Sequence, residues 1–196
     1  MKHLRMIFVG IVLAAQAGAL ELETFKVEGD VKTLGVDFSI SRPKGWEPRP
    51  VKPGSAVIAA FWSTPQGLGD NLSLVVPGKQ NLKRDAVTKS QFKSFFEHPQ
   101  MEKSVAAGMP FAGVKFTAKQ FLADYKYPAG YLDYDATLKA PTGEQMVRVR
   151  NYIVYLGNVM LQVQFYLIQE GEADRLKAFE PEMHRIVDSL EFTKKP

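Results

Sequence analysis

The feature that most constrains the fold is a run of four strand-like segments in the second half of the chain. These segments are residues 113–124, 130–139, 144–155 and 159–168. Ala140-Pro141-Thr142-Gly143 separates the second from the third, with Pro and Gly at positions that a turn favours. Gly157-Asn158 is a two-residue hairpin signal in which Gly supplies a positive φ. The pattern predicts consecutive antiparallel strands joined by tight turns.

The charges of the middle hairpin select its register. If the turn at 140–143 closes the hairpin, three oppositely charged pairs face each other: Lys139–Glu144, Asp135–Arg148 and Asp133–Arg150. Each such pair stabilises a sheet by ~0.2–1 kcal/mol. A slip of one residue would set Asp135 against Val149 and turn the arginines to the apolar face. We therefore expect structural cross-strand ion pairs. The same spacing leaves a weaker alternative open, a carboxylate- or metal-dependent enzyme at Asp133 and Asp135.

The remaining segments predict an α/β (α+β) chain. Strands are expected at 20–27, 38–40, 56–62 and 71–76, and a last short one at Phe192. Apolar residues at helical spacing predict a helix over 82–97, capped by Asn81, and further helical turns over 101–107. Because proline suits the first turn of a helix, Pro181 predicts a break between two C-terminal helices, 172–180 and 181–190.

Residues 1–19 have the layout of a secretory signal peptide. Lys2 and Arg5 precede a ten-residue apolar run, and small residues follow up to Ala17 and Ala19. A membrane span needs about 20 apolar residues, twice the length of this run. We predict cleavage near Ala17 or Ala19, one domain over 20–196, and a periplasmic or secreted location.

Composition excludes several classes of function. The chain has no cysteine, which excludes disulfides, a thiolate nucleophile, a cysteine-ligated metal and a lipid anchor on an N-terminal cysteine. Without Lys2 and Arg5, 23 of the 25 basic side chains remain against 21 acidic ones. They are dispersed among acids, unlike the clustered basic face of a nucleic-acid binder.

No motif for catalysis or for a cofactor stands out. His98 and His184 lie far apart in sequence, and no G-x-S-x-G elbow is present. The loop over 63–70 lacks the Lys-Ser/Thr ending of a phosphate loop. The sequence therefore predicts no enzyme, no cofactor and no metal.

Aromatic residues near turns are the candidates for a partner-binding surface. Trp46 follows a Pro-Lys-Gly turn, and Trp62 ends an apolar strand beside a Gly-rich loop. Tyr125, Tyr127 and Tyr131 flank Pro128 and could form a second cluster. Aromatic residues and arginine are the usual anchors of protein interfaces.

Three local patterns together resemble PsbP-like proteins. Residues 38–46 (FSISRPKGW) resemble the opening F-x-I-x-x-P-x-G-W of that family. Residues 150–155 (RNYIVY), leading into 159–165, resemble its central hairpin, and 186–192 (IVDSLEF) resemble its closing segment. The resemblance implies a three-layer sandwich, in which a central antiparallel sheet lies between helical layers. Many bacterial relatives of the exported DcrB type carry a lipoprotein cysteine, which this chain lacks.

The resemblance also implies a role. PsbP-like proteins are mostly accessory binders, adaptors or stabilisers. We therefore expect an exported, non-catalytic protein that binds another cell-envelope protein. The main alternative is a carrier that holds a small ligand in the cleft between helices and sheet.

Overall fold

The computed structural model describes residues 20–28, 34–64, 69–77, 85–107, 111–140, 143–169 and 174–194. Within these ranges the strands are β1 (Leu22–Val27), β2 (Asp37–Pro43), β3 (Glu47–Pro48), β4 (Val57–Trp62), β5 (Asn71–Val75), β6 (Ala112–Phe121), β7 (Ala129–Ala140), β8 (Gly143–Leu156), β9 (Val159–Ile168) and β10 (Glu191–Lys194). The helices are α1 (Lys89–Glu97), α2 (Met101–Ala107) and α3 (Arg175–Asp188).

The strands form two antiparallel sheets. The central sheet has seven strands in the order β3-β4-β5-β9-β8-β7-β6, and the small sheet has the order β1-β2-β10. The four consecutive strands predicted from the sequence are therefore neighbours on one side of the central sheet. The strands β3, β4 and β5 from the first half of the chain join them through the pairing of β5 with β9. The predicted α+β class with a central antiparallel sheet is confirmed.

The register of the β7–β8 hairpin is the one that its charges predict. Asp133 lies opposite Arg150, Asp135 opposite Arg148 and Lys139 opposite Glu144. In the next hairpin, Gly157 adopts a φ of 65°. That left-handed conformation is unfavourable for residues with a Cβ, so glycine suits this turn.

One face of the central sheet, called here the first face, is covered by α3 and the small sheet. Leu176, Met183, Ile186 and Val187 of α3 are buried against it, together with Val36, Phe38 and Ile40 around β2. Their partners include apolar side chains of β4, β5, β8 and β9. This layer contains most of the apolar core in the described part of the chain.

The opposite face, called the second face, is covered in part by α1 and α2. Phe92 and Phe96 of α1 and Met101 of α2 are buried against Leu132 of β7 and its neighbours. The Phe96 ring lies directly over Gly130, where an added Cβ would be 2.7 Å from the ring's Cζ atom. Glycine at this position therefore permits close approach of α1 to the sheet.

Two predicted helix boundaries are wrong. The first helix begins at Lys89, because Thr88 caps it and exchanges capping-box hydrogen bonds with Gln91. Asn81 lies outside the described residues. The C-terminal segment is one helix that continues through Pro181 instead of two. Apolar residues on both sides of the proline share one buried face, and this packing outweighs the lost backbone hydrogen bond.

Residues 1–19 lie outside the described ranges, so the signal peptide remains a prediction. Among the helices that the structure describes, none combines the length and the apolarity that crossing a membrane would require.

Candidate functional site

Trp46 is a core residue. Its side chain is only 8% exposed, and its ring stacks on Phe179 of α3 at 6.1 Å and 8°. Its carbonyl oxygen accepts a hydrogen bond of 2.6 Å from Nη1 of Arg42. The sequence prediction that Trp46 belongs to an exposed partner-binding surface is therefore wrong, since α3 covers it.

Trp62 lies near the edge of the central sheet, opposite Glu47 of the outermost strand β3. It ends β4 and is half-buried, and the outermost strand β3 beside it has only two residues. The guanidinium of Arg49 lies over its ring, 5.6 Å from a ring centroid. A pocket of about 490 Å³ opens here and is lined in part by Arg49, Pro50, Val51, Lys52 and Trp62. These five residues are called the edge surface below.

The three tyrosines hold the loop between β6 and β7 against the body of the protein. The Tyr125 hydroxyl donates a 2.6 Å hydrogen bond to the carbonyl oxygen of Val187 in α3. Burial raises the pKa of Tyr125, as expected for a phenol removed from water. The ring of Tyr127 packs edge-on against Phe192 of β10 at 5.3 Å. Both tyrosines are half-buried, so they have structural contacts that the sequence interpretation did not anticipate.

Tyr131 lies deeper than the other two tyrosines. It is buried, and its hydroxyl donates to Oε1 of Gln120 at 2.6 Å. Its ring supports the guanidinium of Arg150, whose Cζ is 4.1 Å from the ring centroid. Tyr131 therefore does not belong to an exposed aromatic cluster, whereas the half-buried Tyr125 and Tyr127 pack edge-on at 6.0 Å.

Arg150 is the centre of a buried charge cluster on the first face. Its side chain is 5% exposed, and Nε and Nη2 each donate a 2.7 Å hydrogen bond to a different carboxylate oxygen of Asp133. Nη1 donates at 2.5 Å to Oε1 of Glu180, which α3 brings over the hairpin. The cross-strand partner was predicted from the sequence, whereas Glu180 was missed because it comes from a separate helix.

The electrostatics of this cluster follow from burial and pairing. Burial raises the pKa of Asp133, and the hydrogen bonds and charge of Arg150 oppose that effect. The hydrogen bond from Arg150 is the main reason that the pKa of Glu180 is lowered. For Arg150, burial disfavours the charge, but hydrogen bonds to Asp133 and Glu180 outweigh it and raise the pKa. The guanidinium therefore remains charged and paired.

A second, more exposed ion pair lies next to this cluster. Nε of Arg148 is 3.1 Å from Asp135, and Nη1 is 3.1 Å from Asp174, the N-cap of α3. Glu144 lies opposite Lys139 in the register, although the Lys139 side chain is outside the described atoms. Both carboxylate oxygens of Asp133 accept hydrogen bonds from Arg150, so Asp133 is engaged in an ion pair and is not a free general base. Within the described ranges, no three His, Cys, Asp or Glu side chains are grouped so as to hold a metal ion.

The two histidines also have structural contacts. Nδ1 of His98 accepts a hydrogen bond from the backbone N–H of Gln100 at 3.1 Å, in the turn between α1 and α2. Nε2 of His184 is 3.6 Å from Glu180, and its ring packs edge-on against Tyr152. The two imidazoles lie on opposite faces of the central sheet, so they share no site.

A groove on the second face was not predicted from the sequence. It consists of two adjoining pockets. The larger, about 450 Å³, lies between the helices α1 and α2 and the central sheet. The smaller, about 190 Å³, continues along the sheet to Trp62 at the end of β4. Four residues line both pockets: Val57, Phe111, Gln164 and Tyr166. The even-numbered polar residues of β9 indicate a polar strip on this face, but only the structure shows that the helices leave it uncovered.

Hydrogen bonds connect the polar groups along the floor of this groove. The Tyr166 hydroxyl donates at 2.5 Å to Oε1 of Gln164, whose Nε2 donates at 2.8 Å to Oε1 of Gln162. Two neighbouring groups remain unpaired among the described residues: the hydroxyl of Tyr134 and both side-chain amide atoms of Asn151. Such buried, unpaired groups are uncommon in folded proteins.

Comparison with known proteins identifies the fold. No protein-family model matches this chain, and no curated protein matches it. The solution structure of cyanobacterial PsbP (CyanoP) from Synechocystis sp. PCC 6803 matches with a TM-score of 0.50 and 12% identity, covering 90% of this chain and 95% of that chain. The chain has the PsbP fold. The resemblance of residues 38–46, 150–165 and 186–192 to PsbP-like proteins is thereby confirmed at the level of fold.

Two further solved structures are similar at lower scores. The Ran-binding protein Mog1p of Saccharomyces cerevisiae has a TM-score of 0.49 at 8% identity, covering 88% of this chain and 95% of that chain. LpqN of Mycobacterium tuberculosis, described as involved in cell envelope biogenesis, has a TM-score of 0.41 at 11% identity, covering 88% and 92%. At these identities the likeness concerns the PsbP-type fold alone.

Proposed function

We propose that this chain is an exported, non-catalytic accessory protein that binds another cell-envelope protein through the edge surface. The observation that carries the proposal is the half-buried Trp62 with the Arg49 guanidinium over its ring, beside the outermost strand of the central sheet. Tryptophan and arginine are the most frequent anchors of protein interfaces. The pocket beside them offers room for a side chain of the partner.

The short outermost strand leaves part of β4 without a neighbour. Within the described residues β3 pairs only with Phe61 and Trp62, so the segment Val57–Ala59 of β4 has no strand beside it on that side. A sheet edge can accept an extended segment of a partner through main-chain hydrogen bonds. Lys52, at the rim of the pocket, adds a positive charge that favours an acidic partner segment.

The proposed location rests on the N-terminal sequence. Lys2, Arg5, the apolar run that follows them and the small residues up to Ala19 have the layout of a cleaved export signal. After cleavage the domain over 20–196 would work in the periplasm or outside the cell, free of a lipid anchor because the chain has no cysteine.

A cross-linking experiment on an envelope extract tests the proposal. A photo-activatable residue at Lys52, in the edge surface, should give one dominant protein adduct, and the same residue at Lys93 on α1 should not. Trp62→Ala should abolish the Lys52 adduct with the melting temperature nearly unchanged. Phe95→Ala, which removes an exposed aromatic side chain on α1, should leave it intact. An adduct that persists in a folded Trp62→Ala variant would exclude this surface.

A further inference from the structure

The groove on the second face has the shape of a ligand site. Its larger part is about 450 Å³, within the range of about 300–1,000 Å³ typical of small-molecule pockets. Phe95, Met101 and Val105 on the helical side and Val57 and Met160 on the sheet side provide apolar walls. Phe95 is 47% exposed, which is unusual for a phenylalanine that borders a core. The walls are suited to an extended hydrocarbon.

The described residues that line the two pockets carry no charge. The polar ones are serine, asparagine, glutamine and tyrosine side chains. A carboxylate or ammonium group placed here would lose its hydration without meeting an opposite charge, which is strongly unfavourable. The lining therefore favours an uncharged ligand and disfavours a fatty acid, a phosphate or a charged peptide.

Two of the buried side chains that lack hydrogen-bond partners among the described residues lie on the second face. Tyr134 lines the larger pocket and is 1% exposed, yet its hydroxyl is unpaired. Asn151 is 0% exposed with both amide atoms unpaired; it lies opposite Gln164 of the groove floor in the strand register but lines neither pocket. An unpaired buried polar group destabilises the free protein, and a ligand that pairs it removes that penalty.

We propose that the groove binds an uncharged amphiphile with one apolar chain. The chain lies between α2 and the sheet, along Phe95, Val105 and Phe111. The head carries a hydroxyl, ester or amide group that accepts a hydrogen bond from the Tyr134 hydroxyl. This binding goes beyond the protein–protein docking proposed above, because the apolar chain lies along α2 and not at the edge surface. Of the five residues of the edge surface, one, Trp62, also lines the smaller pocket of the groove.

Titration calorimetry with purified residues 20–196 tests the proposal. The probe is 1-monolauroylglycerol below its aggregation threshold, and the matched comparison is dodecanoate at pH 8, with the same chain length and a charged head. We expect one site per chain and an affinity for the monoglyceride at least about tenfold higher than for dodecanoate. Equal affinities, or no saturable binding of the monoglyceride, would overturn the proposal.

Two serines provide a matched pair of variants that locate the site. Ser104 of α2 lines the groove, and its hydroxyl donates to the carbonyl four residues earlier, Gln100. Ser94 of α1 makes the same bond to Ser90, is exposed and does not line the groove. Ser104→Trp should fill the groove and abolish binding, whereas Ser94→Trp should retain it. Equal binding by both folded variants would place the amphiphile elsewhere.

Tyr134→Phe tests the head group and does not depend on the folding of the tryptophan variants. It should lower the affinity for 1-monolauroylglycerol about 3- to 10-fold and leave that for dodecane-1-thiol, a weak hydrogen-bonding analogue, unchanged. An unchanged monoglyceride affinity would show that the hydroxyl does not contact the head.

Sedimentation and cross-linking test whether a second copy of the chain or a protein partner occupies the groove instead of the amphiphile. A concentration-dependent dimer that Ser104→Trp abolishes would assign the groove to a second copy of the chain and overturn the proposal. The Lys52 cross-link to a protein partner should persist in Ser104→Trp, because the edge surface is unchanged. Loss of amphiphile binding and loss of partner binding are therefore distinguishable.

Discussion

The two faces of the central sheet differ in how their buried polar groups are paired. On the first face, Arg150 is buried, but Asp133 and Glu180 satisfy its guanidinium and Tyr131 packs beneath it. On the second face, Tyr134 and Asn151 are at least as deeply buried, and their polar atoms remain unpaired among the described residues. The Tyr152 hydroxyl on the first face is unpaired among these residues as well, but Tyr152 lines none of the pockets described above, whereas Tyr134 lines the groove. Burial alone therefore does not identify a binding site, and an unpaired polar group indicates a ligand only where it borders a cavity.

The largest effect is expected from opening the closed network. Arg150→Met leaves Asp133 buried without a counter-charge and should lower the free energy of unfolding by about 3–5 kcal/mol. Arg148→Met is the matched control, since its pairs with Asp135 and Asp174 are more exposed and contribute about 0–1 kcal/mol. Urea denaturation measures both. If the two variants lose equal stability, the first face does not depend on a closed charge network.

A second variant of the same network sharpens this test. Asp133→Asn combined with Arg150→Met removes both charges, so the double variant should be more stable than Arg150→Met alone. The double-mutant cycle then separates the cost of an isolated carboxylate from the loss of packing.

An intermediate effect is expected where α1 packs on the second face. Gly130→Ala places a Cβ against the Phe96 ring and against the carbonyl oxygen of Gln120, and should cost about 1–3 kcal/mol. The ring cannot retreat freely because it is buried among Phe92 and Met101. Thermal unfolding measures the loss, and Gly130→Ala combined with Phe96→Leu should recover part of it. An unchanged melting temperature would show that α1 is only loosely held on this face.

A smaller effect on stability is expected at two tyrosine hydroxyls, one paired and one unpaired. Tyr125→Phe removes the hydrogen bond to the Val187 carbonyl and should cost about 1 kcal/mol. Tyr134→Phe removes an unpaired hydroxyl and should leave the ligand-free protein equally stable or more stable. Chemical denaturation of the two variants measures the free energy of unfolding of each. A destabilised Tyr134→Phe would contradict the contrast between the faces.

The smallest effect is a pH dependence at Glu180. Because the hydrogen bond from Arg150 lowers the pKa of Glu180 below its ordinary 4.5, its contribution to stability is present above that pH and is lost as the pH falls through the lower folded value. Glu180 is partly exposed, so solvent screening limits the expected contribution to less than about 1 kcal/mol. Glu180→Gln should therefore weaken the protein more at pH 7 than at pH 3. Glu97→Gln on the exposed surface of α1 serves as the control, and an equal pH profile in both would contradict the assignment.

Local signals explain what could be predicted from the sequence. The β7–β8 register follows from charges on adjacent strands, and Gly157 marks the next turn, because both signals act over a few residues. Thr88 and Gln91 also form a capping box, a local pattern that indicates the start of α1 in the sequence.

Contacts between distant segments explain what could not be predicted. Trp46 is buried by Phe179, and Glu180 completes the Arg150 cluster from the same helix, more than 100 residues away from Trp46 along the chain. The groove likewise depends on how far α2 extends over the sheet. No sequence pattern within one segment indicates which distant segment will pack against it.

The pairing of β5 with β9 also has a kinetic consequence. Residues 71–75 must find partners at 162–166, whereas β6 to β9 are joined by short connections. Contacts between residues so far apart form late, because a long loop must close first. During synthesis the β4–β5 hairpin therefore emerges long before its partner, with an unpaired edge. Aggregation competes with folding most strongly during this interval. We therefore expect that the protein needs chaperones mainly until β5 has paired with β9.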